Sequence, residues 1–265
     1  MKKLLLVWMA VSLALVSLGA QKALVIGNAG YSDKPLKHPV VDAQLIDTTL
    51  VRIGFQVTRN TNLNAAAFKT AIAKYAKTVG ADDLALFYFS GQAVQLDGAT
   101  YLLPVGTTFK DATAVKSGAI ELSGLITQIN KGVATLVFID AARANPNVAF
   151  TLAKQGLAAP GKMPDKLFLM FSAAPDSLIL EGRGTHGNFA LQLSRVLILQ
   201  ERDLEEIGNL ISSGVKVITA AKQNPRVYNS IAGELIINPS PENGARFYFR
   251  SFHKMEVDGG GSYSF

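Results

Sequence analysis

No cysteine occurs among the 265 residues, and that absence removes several chemistries at once. A disulfide scaffold, a thiolate metal site, a lipid-anchored cysteine and a cysteine nucleophile are all excluded. Charge is sparse as well: 17% of residues are Asp, Glu, Lys or Arg. The basic ones form no run, so nothing supports a nucleic-acid-binding or lipid-binding surface. The histidines, His38, His186 and His253, are widely separated, and each reads as a surface or turn residue rather than a ligand. What is abundant is apolar: 49% of the chain, enough to bury a substantial core.

The N-terminus MKKLLLVWMAVSLALVSLGA places Lys2 and Lys3 before an apolar run from Leu4 to Leu18, followed by Gly19 and Ala20. This is the pattern of a secretory signal peptide over residues 1–20, with a periplasmic or extracellular destination. A lone hydrophobic anchor is the rival reading, although the run is short for a span. Membrane attachment therefore requires an uncleaved segment. Loss of Lys2 and Lys3 lowers the formal charge of +6 by two.

From residue 22 onward, strand and helix patterns alternate. Apolar runs at 22–27, 83–90, 134–140 and 166–171 read as strands covered on both faces. A helical period over 41–53 ends at Gly54, and Asn64 caps a second helix that runs toward Gly80. Asp97-Gly98 marks a hairpin, and 121–130 a third helix. Residues 145–164 form an irregular loop, with further helices over 188–199 and 203–213 and a continuation of the second of these toward Lys222. Terminal strands lie in ELIIN and ARFYFRSF, and 251–265 is a tail. The alternation predicts one three-layer α/β/α domain over 21–250 with a mostly parallel sheet.

In such a sheet, ligands sit beyond the carboxyl ends of the central strands. The loops there are GNAGYSD, SGQAVQ and DAARANP, carrying Asp33, Gln92, Asp140, Arg143 and Asn145. GNAGY lacks the lysine of a phosphate-binding loop and the third glycine of a dinucleotide fingerprint. Neither Ser90 nor Ser172 has a nucleophile-elbow frame that would make it a partner of His186. Asp42, early in the first helix, could simply face its dipole. Asp140 could end its strand, with Arg143 pairing only to it.

The segments KALVIGNAGYSDKPLKHPVVDAQLIDTTLVRIGF, DDLALFYFSGQAVQLDGATYLLPV, VFIDAARANP and FSAAPDSLILEGRGTHGNFALQL together resemble the bacterial, metacaspase-type branch of the caspase-like cysteine peptidases. The resemblance covers roughly residues 22 to 250. It implies a catalytic histidine in a Ser-Gly-His-Gly loop, where this chain has Ser90-Gly91-Gln92-Ala93. It also implies a nucleophile in Asp-Ala-Cys-Arg, where this chain has Asp140-Ala141-Ala142-Arg143. A methyl group cannot attack a carbonyl and a carboxamide is no base. Backbone donors in the 90–92 loop would leave residual catalysis at most.

The resemblance further implies an acidic pocket for Arg or Lys at the positions of Asp42 and Asp140, both of which are present. The expectation is an inactive pseudopeptidase that binds a peptide or protein segment carrying a basic residue, with Ser90, Gly91 and Arg143 as supporting loop. The alternatives are an interaction domain working through the hairpin or the 145–164 loop, and a cysteine-independent hydrolase. Neither cofactor nor metal is called for. The calcium activation of some relatives is not carried over, because no loop gathers enough carboxylates.

Overall fold

The computed structural model describes residues 19–32, 34–144 and 148–250. In chain order the elements are β1 (Gln21–Gly27), α1 (Pro39–Arg52), β2 (Gln56–Thr61), α2 (Ala65–Thr78), β3 (Leu84–Ser90), β4 (Ala93–Leu96), β5 (Ala99–Leu102), α3 (Ala112–Gly118), β6 (Ile120–Glu121) and α4 (Leu122–Ile129). They continue with β7 (Ala134–Asp140), β8 (Leu167–Phe171), α5 (Asn188–Leu197), α6 (Leu204–Ile218), β9 (Arg226–Asn229), β10 (Glu234–Ile236) and β11 (Tyr248–Arg250). The main sheet has the order β2-β1-β3-β7-β8-β9. Its neighbours are parallel except for β9, which runs antiparallel to β8.

Alternation along each strand divides the core in two. Leu24, Ile26, Phe87, Phe89, Val137 and Ile139 face α2 and α4. Their neighbours Val25, Leu86, Tyr88, Leu136 and Phe138 face α1, α5 and α6. Coverage on both sides explains why these strands read as unbroken apolar runs, and the three-layer expectation holds. A smaller cluster around Tyr31, Val94, Tyr101 and Phe109 lies under the hairpin. That hairpin turns at Asp97 and Gly98 with φ of 50° and 78°, the paired positive values that a tight two-residue turn requires.

The ELIIN and ARFYFRSF segments do supply terminal strands, as read; β10 and β11 pair with each other in a separate two-stranded sheet, and Ile236 also bridges to Asp203. The sequence reading needs correction elsewhere. The main sheet's far edge is β9, and α3, capped by the Asp111 side chain, is a further helix. The last helix outruns residue 213 and stops at Ile218, where Ala220 and Ala221 take left-handed φ values of 50° and 59°. Its start is a capping box in which Asp203 and Glu206 satisfy each other's backbone amides. Asp203→Ala is expected to cost about 1 kcal/mol in urea denaturation; an unchanged midpoint would contradict the box. Residues 148–164 carry no helix and one isolated bridge, Val148 to Phe109. Asp33, Asn145, His253, residues 1–18 and the 251–265 tail lie outside the described residues.

Candidate functional site

Strand register places Gly27, Ser90 and Asp140 side by side at the carboxyl edge of the sheet. The loops leaving these strands are stitched together by backbone hydrogen bonds. Gly91 N–H donates to the Asp140 carbonyl at 3.3 Å and Ala93 N–H to the Ala141 carbonyl at 3.1 Å. Gln92 N–H donates to the Tyr31 hydroxyl at 2.9 Å, and that hydroxyl donates to the Leu103 carbonyl at 2.9 Å. The donors expected to polarise a substrate carbonyl thus already have internal partners. The residual oxyanion role drawn from the sequence is corrected on that ground.

Gln92 and Ala142, at the degenerate dyad positions, are each 1% exposed. Ala141 and Ala142 are packed into the core on the α2 and α4 side, and the Ala142 carbonyl accepts from Ile179 N–H at 2.8 Å. Position 142, where the resemblance places a nucleophile, is interior. Ser90 and Ser172 are wholly buried, and His186 meets Asp42 rather than either serine. Neither Ser90 nor Ser172 therefore pairs with His186.

Asp42 and Asp140 lie near one another. Asp42 is 0% and Asp140 1% exposed. A Cβ placed on Gly187 would stand 2.8 Å from Asp42 Oδ2 and 3.5 Å from Asp140 Oδ2, so glycine there lets the chain pack closely against both carboxylates. Asp42 does more than face its helix dipole. Its Oδ1 accepts from Gly187 N–H at 3.0 Å and lies 3.3 Å from His186 Nδ1. Asp42 Oδ2 is buried without a hydrogen-bond partner, while the Ser172 hydroxyl lies beside the Asp140 carboxylate and the Ser90 hydroxyl beside that of Tyr88.

Burial, reinforced by the Asp140 charge, pushes the Asp42 carboxyl up to about 7. Asp140 is also raised by burial, against the pull of the Arg143 guanidinium. Burial and the nearby His38 hold His186 below the usual imidazole range.

Arg143 does not pair with Asp140 alone. Buried at 5% exposure, it spreads its donors over Gly91 O at 2.6 Å, Ser90 Oγ at 3.4 Å, the Asp140 carbonyl and Glu181 Oε1 at 2.8 Å. The Asp140 carboxylate is the most distant partner, at 3.9 Å. Glu181 was not singled out in the sequence, although it lies in the segment that carried the resemblance. Its carboxyl is held low: burial opposes this, but Arg143 and His38 outweigh it.

His38 lies in the turn before α1, as one of the two readings had it, but is buried there rather than at the surface. It bridges Glu181 Oε2 at 2.9 Å and Gly184 O at 3.1 Å. Residues 181–187 thus form a strap over the acids, fastened by polar contacts to Asp42, His38 and Arg143. Among the described residues no cluster of side chains could hold a metal ion, and no helix is long and apolar enough to cross a membrane.

A separate cavity of about 480 Å³ lies over β8, lined by Gly98, Leu122, Ile126, Met163, Leu169 and Phe171 among others. None of the acid-site residues lines it.

The caspase domain of the Peptidase_C14 family matches residues 20–236. Among solved structures, one titled "structure of pro-sf-caspase-1" superposes with a TM-score of 0.58 at 16% identity, covering 82% of this chain and 90% of that one. No curated protein matches the sequence.

Proposed function

This chain belongs to the caspase-domain family, and from that premise we propose that it is a noncatalytic member of the metacaspase type. In this reading it is exported and holds a peptide or protein segment by a basic side chain at Asp42 and Asp140. Loss of peptidase chemistry follows from the missing thiol. The observation that carries the binding role is the pair of neighbouring buried carboxylates, with Asp42 Oδ2 lacking a hydrogen-bond partner. Planar, multi-donor groups such as guanidinium satisfy acceptors of this kind. Entry requires the 181–187 strap to lift, which breaks the hydrogen bonds and ion pairs that fasten it. Such segments are drawn from the low-stability end of a fold.

An Arg-containing peptide titrated calorimetrically into the wild type should bind at least about tenfold more tightly than to Asp140→Ala, the loss expected when a charge-assisted bond is removed. A Gln-for-Arg peptide should bind neither. Equal affinity for both proteins would sink the pocket. A second reading, an interaction domain with contacts elsewhere, is favoured by the apolar cavity beside the hairpin and the 158–164 loop. Binding of a partner that survives Asp140→Ala but not a charge placed at Ile126 would select it.

A further inference from the structure

At the opposite edge of the sheet, Asp83 gathers more donors than a strand-start carboxylate needs. Its Oδ1 accepts from the Ala20 nitrogen at 2.7 Å. Its Oδ2 accepts from Gly80 N–H at 2.7 Å and from Lys22 Nζ at 2.7 Å. The side chain is only 11% exposed. Leu84 N–H donates to the Ala20 carbonyl at 2.9 Å, and Val133 N–H to the Asp83 carbonyl at 3.0 Å, so the Asp83 carboxylate holds the start of β1 while backbone bonds of the same segment join the starts of β1, β3 and β7. Just before Ala20 the chain runs out of room: a Cβ at Gly19 would lie 1.6 Å from the Asp82 carbonyl oxygen.

We propose that the Gly19–Ala20 bond is where the export signal is removed, and that the α-ammonium released on Ala20 becomes a fixed ion-pair partner of Asp83. The proposal rests on reading residues 1–20 as an export signal and is independent of the acid pocket. Cleavage here places Ser17 and Gly19 at the two positions where small residues are required, whereas cleavage after Ala20 would place Leu18 at one of them.

In the hydrolysis, water adds its oxygen to the Gly19 carbonyl carbon, giving the leader a terminal carboxylate. The C–N bond breaks, and the Ala20 nitrogen takes up protons to become an ammonium. The peptidase of the export machinery supplies the catalysis. The nitrogen that was a single neutral donor at 2.7 Å from Asp83 then becomes a charged one, and charge-assisted bonds are roughly twice as strong. Because the Ala20 carbonyl already belongs to the ladder with Leu84, the cut precedes closure of the sheet. A cut one residue later would delete this nitrogen and leave Asp83 Oδ1 unpaired.

The test is intact mass and N-terminal sequencing of the full chain exported from a bacterial host. The expected product begins at Ala20; a product beginning at Gln21 or elsewhere, or an unprocessed chain, overturns the cleavage site. For the ion pair, the α-amine of the processed protein should react with an amine-reactive ester near neutral pH about tenfold more slowly than that of Asp83→Asn, as a one-unit rise in its pKa would give. Equal rates overturn it. Should Asp83→Asn fail to fold, urea-unfolded wild type serves as the reference, with the same ratio expected and the same equality decisive.

Discussion

Arg143→Met is expected to lower stability by about 3–5 kcal/mol, the range for removing one partner of a buried ion pair. The guanidinium is 5% exposed and satisfies the Gly91 and Asp140 carbonyls, Ser90 Oγ and Glu181. Methionine fills similar volume but returns none of those bonds, and it leaves Asp140 buried beside Asp42 with no cation to offset either. Lysine keeps the charge yet cannot reproduce the forked geometry, so Arg143→Lys should fall between the two. Urea denaturation measures both. A loss under about 1 kcal/mol for Arg143→Met would show that the carboxylates do not depend on it.

The double variant Asp140→Leu with Arg143→Met then discriminates further. If it matches or exceeds wild-type stability, as replaced buried pairs often do, the pair contributes no net stability and its retention points to recognition.

The second large effect is a pH dependence opposite to that of an ordinary salt-bridged carboxylate. Asp42 rises from 3.8 to about 7 on folding, through burial and the charge of Asp140. Between those values the native state holds a proton that the unfolded chain has released. Stability therefore falls as pH climbs from about 4 to about 7 and is level beyond. A shift of that size corresponds to about 4 kcal/mol as a ceiling.

Asp42→Asn keeps an acceptor for Gly187 N–H while removing the titration. The difference between wild type and variant should grow through this window in the variant's favour and vanish near pH 4. The comparison must be a difference, because Glu181, held low by Arg143 and His38, slopes the other way. A difference independent of pH would contradict the buried-acid account. Ionisation also strengthens the site toward a guanidinium, so Arg-peptide affinity should rise as pH passes about 7.

Much of the scaffold was legible because burial on both faces leaves a plain mark in sequence. The runs at 83–90 and 134–140 became the central strands, and Asp97-Gly98 became the turn that its residues demand. Strand β9 escaped because RVYN is short, half exposed and polar at both ends; it is a strand only because β8 offers an unpaired edge. Helix α3 is two turns long and too short for a period to stand out.

At the site, the positions of Ser90, Gly91, Gln92, Asp140, Ala142 and Arg143 could be placed at one sheet edge, since they follow adjacent strands. Two things could not be read. The strap is one, because Glu181 and Gly187 reach Arg143 and Asp42 only through the fold. The commitment of the Gly91, Gln92 and Ala93 amides is the other, because a backbone donor looks the same in sequence whether it is free or bound. His38 illustrates the same limit: nothing local to it reports a carboxylate arriving from Glu181.

The central claim is that the two dyad positions lie in packed structure, so that restoring two side chains does not restore a peptidase. Gln92→His combined with Ala142→Cys, incubated with peptides bearing Arg, Lys or Asp before the scissile bond, tests it most directly. With the 91–93 amides engaged and position 142 interior, this variant should cleave none of them above the wild-type background. Cleavage after Arg by the double variant, absent when Gln92→His is made alone and Ala142 is kept, would contradict the account.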